Sequence, residues 1–156
     1  MNNPLLIGFK GKNNFSGLLV KERGRDYCLL TNSFGGLKKD IDSIDSAYDC
    51  VLLFGVDKNL DGAVKVERTA EKDGVRRFSA LDPDRLAEGF RKAGLEATVS
   101  ETPTAYLCNE AYWYLLRKFG GRAVLVHIPT MKNADESFVP KVQQAMALFG
   151  QEGFAL

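Results

Sequence analysis

The stretch SETPTAYLCNEAYWYLLRKFGGRAVLVHIPT, Ser100 to Thr130, decides how the chain is read. It opens on the turn-type residues Thr102-Pro103-Thr104, then sets Leu107, Ala111, Tyr114 and Leu115 at helical spacing. Gly120-Gly121 ends that helix. The β-rich run Ala123-Val124-Leu125-Val126 follows and closes on His127-Ile128-Pro129, where the proline stops sheet pairing. Cys108 thus falls in the first helical turn, where unpaired backbone N–H groups and the helix dipole favour a thiolate. His127 is the only histidine of the chain and stands at the end of the next strand. A cysteine at a helix start and a histidine at a neighbouring strand end can meet on one rim of an α/β sheet. Taken singly, each also reads as an ordinary structural residue.

Outward from this stretch the chain alternates strands and helices. Leu5 to Phe9 reads as a buried strand, Phe15 to Arg23 as a helix and Tyr27 to Thr31 as a second strand. Phe34-Gly35-Gly36 reads as a glycine turn before a polar helix carrying Leu37, Ile41 and Ile44. Asp49 to Val56 is apolar throughout, as in a parallel strand buried on both faces. Ala63 to Ala70 alternates instead, and Asp73-Gly74 turns it back through Val75 to Phe78. Asp82-Pro83 starts an amphipathic helix with Leu86, Phe90 and Ala93 on one face and Gly94 as its stop. Ala97 to Val99 is a short strand. A last helix is expected from Asp135 to Phe149, with Phe138, Val142, Ala145 and Leu148 inward. Strands alternating with helices predict a three-layer α/β/α sandwich with a mostly parallel (mixed) central sheet.

At 156 residues and 45% hydrophobic content, a single domain over 1–156 with a real core is expected. The 21 basic and 20 acidic side chains leave no footprint for nucleic acid or an anionic membrane. No apolar run approaches a membrane span, and Met1 to Leu6 lacks a signal-peptide pattern. Three cysteines without CxxC spacing suit a reduced, cytoplasmic protein and give no metal pattern. Cys28 and Cys50, in or beside β-type runs, are expected to be buried and inert.

Tyr106-Leu107-Cys108-Asn109 followed by Val126-His127-Ile128-Pro129 resembles pyroglutamyl-peptidase I, the pyrrolidone-carboxylate peptidase family. In that family a Tyr-Leu-Cys-Asn type motif carries the nucleophile and a His-Val-Pro motif the base. The resemblance extends through Asp49 to Gly55, similar to the family's central strand, and through Val64 to Ala70, similar to its Ile-Thr-Ile-Glu-Arg-Val-Ala segment. It implies a catalytic triad of Cys108, His127 and Glu67. It also implies Phe9 and Tyr106 as walls for a pyrrolidone ring, and Arg77 near the oxyanion.

Four positions depart from the pattern. The family's second loop phenylalanine falls at Lys12, and its lactam-recognising glutamine at Val56. The Ala-Gly pair before the nucleophile motif reads Pro103-Thr104, and a long excursion after the arginine shrinks to Phe78 through Asp82. Catalytic residue types survive while the specificity apparatus is altered. The resemblance therefore implies a shortened, divergent cysteine peptidase that removes N-terminal pyroglutamate through an acyl-enzyme. It would use no cofactor, act on small peptides and leave a homo-oligomer open. A thiol hydrolase acting on another small amide, or an inactive binding module of the same fold, are the alternatives.

Overall fold

The computed structural model describes residues 4–21 and 26–152, with side chains through 147. The order is β1 (Pro4–Phe9), α1 (Phe15–Lys21), β2 (Tyr27–Leu30), α2 (Phe34–Asp42), β3 (Cys50–Val56) and β4 (Ala63–Glu67). There follow β5 (Thr69–Lys72), β6 (Val75–Phe78), α3 (Pro83–Lys92), β7 (Glu96–Ser100), α4 (Tyr106–Lys118), β8 (Ala123–Ile128) and α5 (Phe138–Glu152). Six strands form one sheet in the order β2-β1-β3-β8-β4-β7. Only the β4–β8 pairing in it is antiparallel. The expected mixed, mostly parallel sheet is what the chain builds.

The sheet is covered on both faces, which is why β1 and β8 are buried along their whole length and β3 in all but its last residue, and why their residues are apolar apart from His127. On one face, Phe15 and Leu19 of α1, Leu86 and Phe90 of α3, and Phe138 and Val142 of α5 pack together. On the other, Leu37 and Ile41 of α2 meet Ala111, Tyr112 and Leu115 of α4. Consecutive side chains of a strand alternate between these faces. Leu125 accordingly joins the α2/α4 side, and Val124 and Val126 the opposite one.

Several expected boundaries move. Gly35 and Gly36 are not a turn but the first turn of α2, because the Ser33 side chain caps it and accepts from the Gly36 N–H at 3.1 Å. The single strand expected over Ala63 to Ala70 breaks at Arg68. β4 stays in the main sheet while β5 leaves to pair antiparallel with β6. The last helix starts at Phe138 rather than Asp135, whose carboxylate instead accepts from the Ser137 N–H at 2.8 Å. Cys50 is buried as expected, but Cys28 is only half-buried. The part of the first expected helix over 22–23 and the Leu148 side chain lie outside the described residues.

Candidate active site

Strand register alone brings the chemistry together. β3 and β8 run parallel with Gly55 opposite His127, and antiparallel β4 sets Lys65 opposite the same histidine. Residues directly opposite in a ladder share a face, as do alternate residues of one strand. Lys65, Glu67 and His127 therefore all project toward the α4 side. There His127 Nδ1 lies 2.9 Å from Glu67 Oε2. With a carboxylate as partner, Nδ1 carries the proton and Nε2 is left as an acceptor. The pair is deeply buried, with Glu67 1% and His127 5% exposed. Its surroundings hold it: Glu67 Oε2 is also 4.0 Å from Lys65 Nζ, and Oε1 is buried without a hydrogen-bond partner.

Helix α4 delivers the sulfur to this ring. A β-carbon built on Gly55 would lie 2.6 Å from Cys108 Sγ, 3.5 Å from His127 Nε2 and 3.4 Å from His127 Cδ2. The thiol and the free face of the imidazole thus flank one glycine, and nothing but a missing side chain keeps that space open. Three hydrogen bonds fix the helix. Tyr112, one turn after Cys108, donates its hydroxyl to the Glu67 carbonyl oxygen at 2.8 Å. Asn109 donates from Nδ2 to the Glu71 carbonyl at 2.7 Å and accepts from the Glu71 N–H at 3.0 Å. The helix that carries Cys108 is so tied both to the strand of Glu67 and to β5. The motif drew attention to Asn109, yet its anchoring role needs β5, which the sequence merged with β4.

The start of α4 is chemically open. Ala105 precedes it, and no side chain caps the first-turn N–H groups. Tyr106 has φ of +72°, a left-handed conformation uncommon for a non-glycine residue, two positions before Cys108. The conformational cost falls at the cleft.

Cys108 and His127 line a cavity of about 490 Å³ whose wall also includes Phe9, Tyr106, Val56 and Asp57. Phe9 is 3% exposed and forms a fixed wall, while Tyr106 at 83% exposure stands at the mouth. Lys12 is exposed and is not among the lining residues. Nor is Arg77, which lies instead over the Trp113 ring, 4.5 Å from its centroid. Trp113 Nε1 in turn donates to the Val75 carbonyl, so this stack fastens the β5–β6 hairpin to α4.

The expectation of a ready thiolate needs correction. Burial, reinforced by the Glu67 and Asp57 carboxylates, pushes the Cys108 thiol up to about 12. Burial also pushes Cys50 up to about 11, and Cys28 above its ordinary value. Desolvation here outweighs the helix terminus. Only roughly one sulfur in 10⁵ would be ionised near pH 7 without help. What separates Cys108 from the other two is the imidazole beside it. Asp57 behaves oppositely: burial pushes its carboxyl up, but the Asn59 N–H and the Lys65 ammonium hold it below its ordinary value. Among the described residues no group of His, Cys, Asp and Glu side chains could hold a metal ion, and no helix is long and apolar enough to cross a membrane.

Solved structures with this architecture include the pyrrolidone carboxyl peptidase of Thermococcus litoralis, at TM-score 0.77 and 18% identity over 97% of this chain and 94% of that one. The enzyme of Fervidobacterium islandicum matches at TM-score 0.77 and 19% identity, over 99% of this chain and all (100%) of that one. The pyroglutamyl peptidase I of Bacillus amyloliquefaciens matches at 0.76 and 17%, over 96% and 95%. These likenesses establish a shared fold. In sequence, the chain is similar to the pyrrolidone-carboxylate peptidase of Chromobacterium violaceum, 36% identical over 52 residues. That stretch spans 33% of this chain and 25% of the relative. No family model matches the chain. The similarity in both sequence and fold falls on the proteins that the Tyr-Leu-Cys-Asn and His-Ile-Pro motifs resemble.

Proposed function

We propose that the chain is a cysteine-type peptidase that cleaves a small N-terminal acyl group, pyroglutamyl in the first instance, from peptides. The observation that carries this reading is the convergence of Cys108 Sγ and His127 Nε2 on the space beside Gly55, with Glu67 2.9 Å behind the ring. In this reading Nε2 takes the thiol proton as sulfur attacks the carbonyl carbon, so a C–S bond forms and the carbonyl electrons move to oxygen. Collapse of that oxyanion breaks the C–N bond, and the imidazolium returns its proton to the leaving amine. Water deprotonated by Nε2 then hydrolyses the thioester, releasing the acid and restoring the thiol. Proton transfer accompanies attack, because the raised thiol pKa leaves little preformed thiolate.

Glu67 fixes the tautomer and balances the imidazolium charge. The uncapped first-turn N–H groups of α4 would serve as donors for the oxyanion. Arg77 drops out of that role by its position over Trp113. Phe9 supplies the apolar wall suited to an uncharged ring.

The test is turnover of a fluorogenic pyroglutamyl amide by wild type and by Cys108→Ala. Turnover that the substitution abolishes supports the proposal. A second reading, a thiol hydrolase for another small amide, is favoured by Val56, which lines the cavity at the position where the resemblance puts a lactam-recognising glutamine. It predicts no pyroglutamyl turnover while Cys108 is still alkylated at neutral pH. An inert thiol would remove both readings.

A further inference from the structure

The mechanism just described leaves the cation nearest His127 and Glu67 on β4 unused. Lys65 stands directly opposite His127 in the β4–β8 ladder. Its ammonium lies 3.2 Å from Asp57 Oδ2 and 4.0 Å from Glu67 Oε2. Asp57 lines the cavity, and Glu67 sits behind the imidazole. One cation therefore joins a carboxylate of the substrate cleft to the carboxylate that holds the base.

Glu67 needs such a neighbour. It is buried, and one of its oxygens has no hydrogen-bond partner, so a cation nearby offsets part of the cost of burying the carboxylate. The charged and titratable groups around the sulfur and the ring come from every packed element. His127 belongs to β8, Glu67 and Lys65 to β4, Asp57 and Lys58 to the β3–β4 connection, and Tyr112 to α4. Of these, Glu67 and Asp57 both press against ionisation of Cys108.

We propose that Lys65 is a positioning residue of this site: its ammonium, held between Asp57 and Glu67, compensates the two carboxylates that bear on the thiol and sets the pH range over which Cys108 gives up its proton. The inference rests on the catalytic reading of Cys108 and His127. Removing the ammonium leaves the sulfur and the ring facing two uncompensated carboxylates. The thiol then binds its proton more tightly, and its titration moves to higher pH. Neutralising Asp57 does the reverse, because it removes one of the anions and leaves Lys65 facing Glu67 alone.

The experiment follows iodoacetamide labelling of Cys108 by mass mapping of its peptide from pH 6 to 10, independently of any substrate. Lys65→Met should displace the rate–pH profile upward by about one unit, which is about tenfold slower labelling on the rising limb. Lys65→Arg should bring it back toward wild type. Asp57→Asn should displace the profile downward, and Lys65→Met/Asp57→Asn should fall near wild type. Opposite displacements of the two single variants are the signature, since loss of a merely structural contact would move both the same way. A Lys65→Met profile that superimposes on wild type overturns the proposal, as do single variants that shift in the same direction. Should Lys65→Met fail to fold, the sign of the Asp57→Asn displacement decides. An unreactive Cys108 in the wild type would instead overturn the catalytic reading beneath it.

Discussion

Gly55 offers the most direct test of the site geometry. A β-carbon there would stand 2.6 Å from Cys108 Sγ, where non-bonded heavy atoms settle at about 3.5–4.0 Å. The sulfur would have to retreat by about 1 Å or leave its rotamer. The His127 ring, at 3.4 and 3.5 Å, needs to give by only a few tenths of an ångström. Its bond to Glu67 should survive. Gly55 has no positive φ, so alanine meets no backbone penalty and the clash is the whole perturbation.

Overpacking a core by one methyl costs typically about 1–3 kcal/mol, and a single mobile thiol as neighbour puts Gly55→Ala at the lower end. The effect on chemistry should be larger. Misplacing a nucleophile by about 1 Å costs on the order of 10²-fold, or roughly 2.7 kcal/mol of barrier. We expect kcat/KM for the pyroglutamyl amide to fall about a hundredfold, mostly in kcat, with a loss of only a few degrees in Tm. Labelling of Cys108 should change in rate as well, because the sulfur no longer faces Nε2. A folded Gly55→Ala variant that keeps kcat/KM within about threefold of wild type would refute the placement of sulfur and ring around this glycine.

Arg77→Leu should leave kcat/KM within about twofold while lowering stability by about 0.5–1 kcal/mol, the usual worth of a partly exposed cation–π contact; a large loss of kcat in this variant would return Arg77 to the cleft. Cys50 supplies a pH signature read by urea midpoints of wild type and Cys50→Ala. Its thiol keeps its proton in the folded chain up to about 11 against an ordinary value of 9.0. The unfolded chain releases that proton first, so the contribution is fully present below about pH 9 and lost as pH rises toward 11. The wild type should lose stability over that window relative to Cys50→Ala, and a difference between them that does not vary with pH would contradict the assignment. Val56→Gln should raise kcat/KM for the pyroglutamyl amide about two- to tenfold, the range of one neutral hydrogen bond of about 0.5–1.5 kcal/mol. Position 56 lines the cavity, so an unchanged preference over prolyl and alanyl amides would mean that the lactam docks elsewhere.

What the sequence made legible was local. The apolar runs of β3 and β8, the Gly120-Gly121 stop and the Asp82-Pro83 start are set by burial and backbone chemistry within a few residues. Gly120 and Gly121 do take positive φ, and Asp82 does cap α3 by accepting from the Arg85 N–H at 3.1 Å. The failures lie where a distant partner decides. Nothing between Ala63 and Ala70 marks a break, since neither proline nor glycine interrupts the alternation. The chain leaves the sheet at Arg68, whose guanidinium reaches Glu101 and Asp84 at 2.8 and 2.7 Å. Those partners stand 33 and 16 residues away. Arg77 shows the same dependence: the resemblance set it near the oxyanion, but its place over the ring of Trp113 is decided by a residue of α4 that the local sequence of the hairpin does not name. Cys108 shows a different limit. A helix start announces itself in sequence, but the depth of burial and the nearby carboxylates that reverse its effect on the thiol do not.

The division between what is preserved and what departs follows from where each residue sits. Glu67 and His127 are fixed by ladder register, and Cys108 by a helix bonded to that ladder through Tyr112. A change in any of them, or a slip by one residue, would turn a buried charge or ring to the wrong face. The side chains that would read an acyl group come from connections instead: Asn14 after β1, Asp57 and Asn59 after β3, Thr104 and Tyr106 at the start of α4. Connections tolerate exchange because little packing depends on them. Substitutions at 57, 59 and 104 can therefore redirect the substrate while the sulfur, ring and carboxylate keep their geometry. Asp57 sharpens the point, because through Lys65 it touches both sides of that division. A residue that changes what the cleft binds there also changes how readily the thiol ionises, so specificity and pH dependence in this chain should vary together.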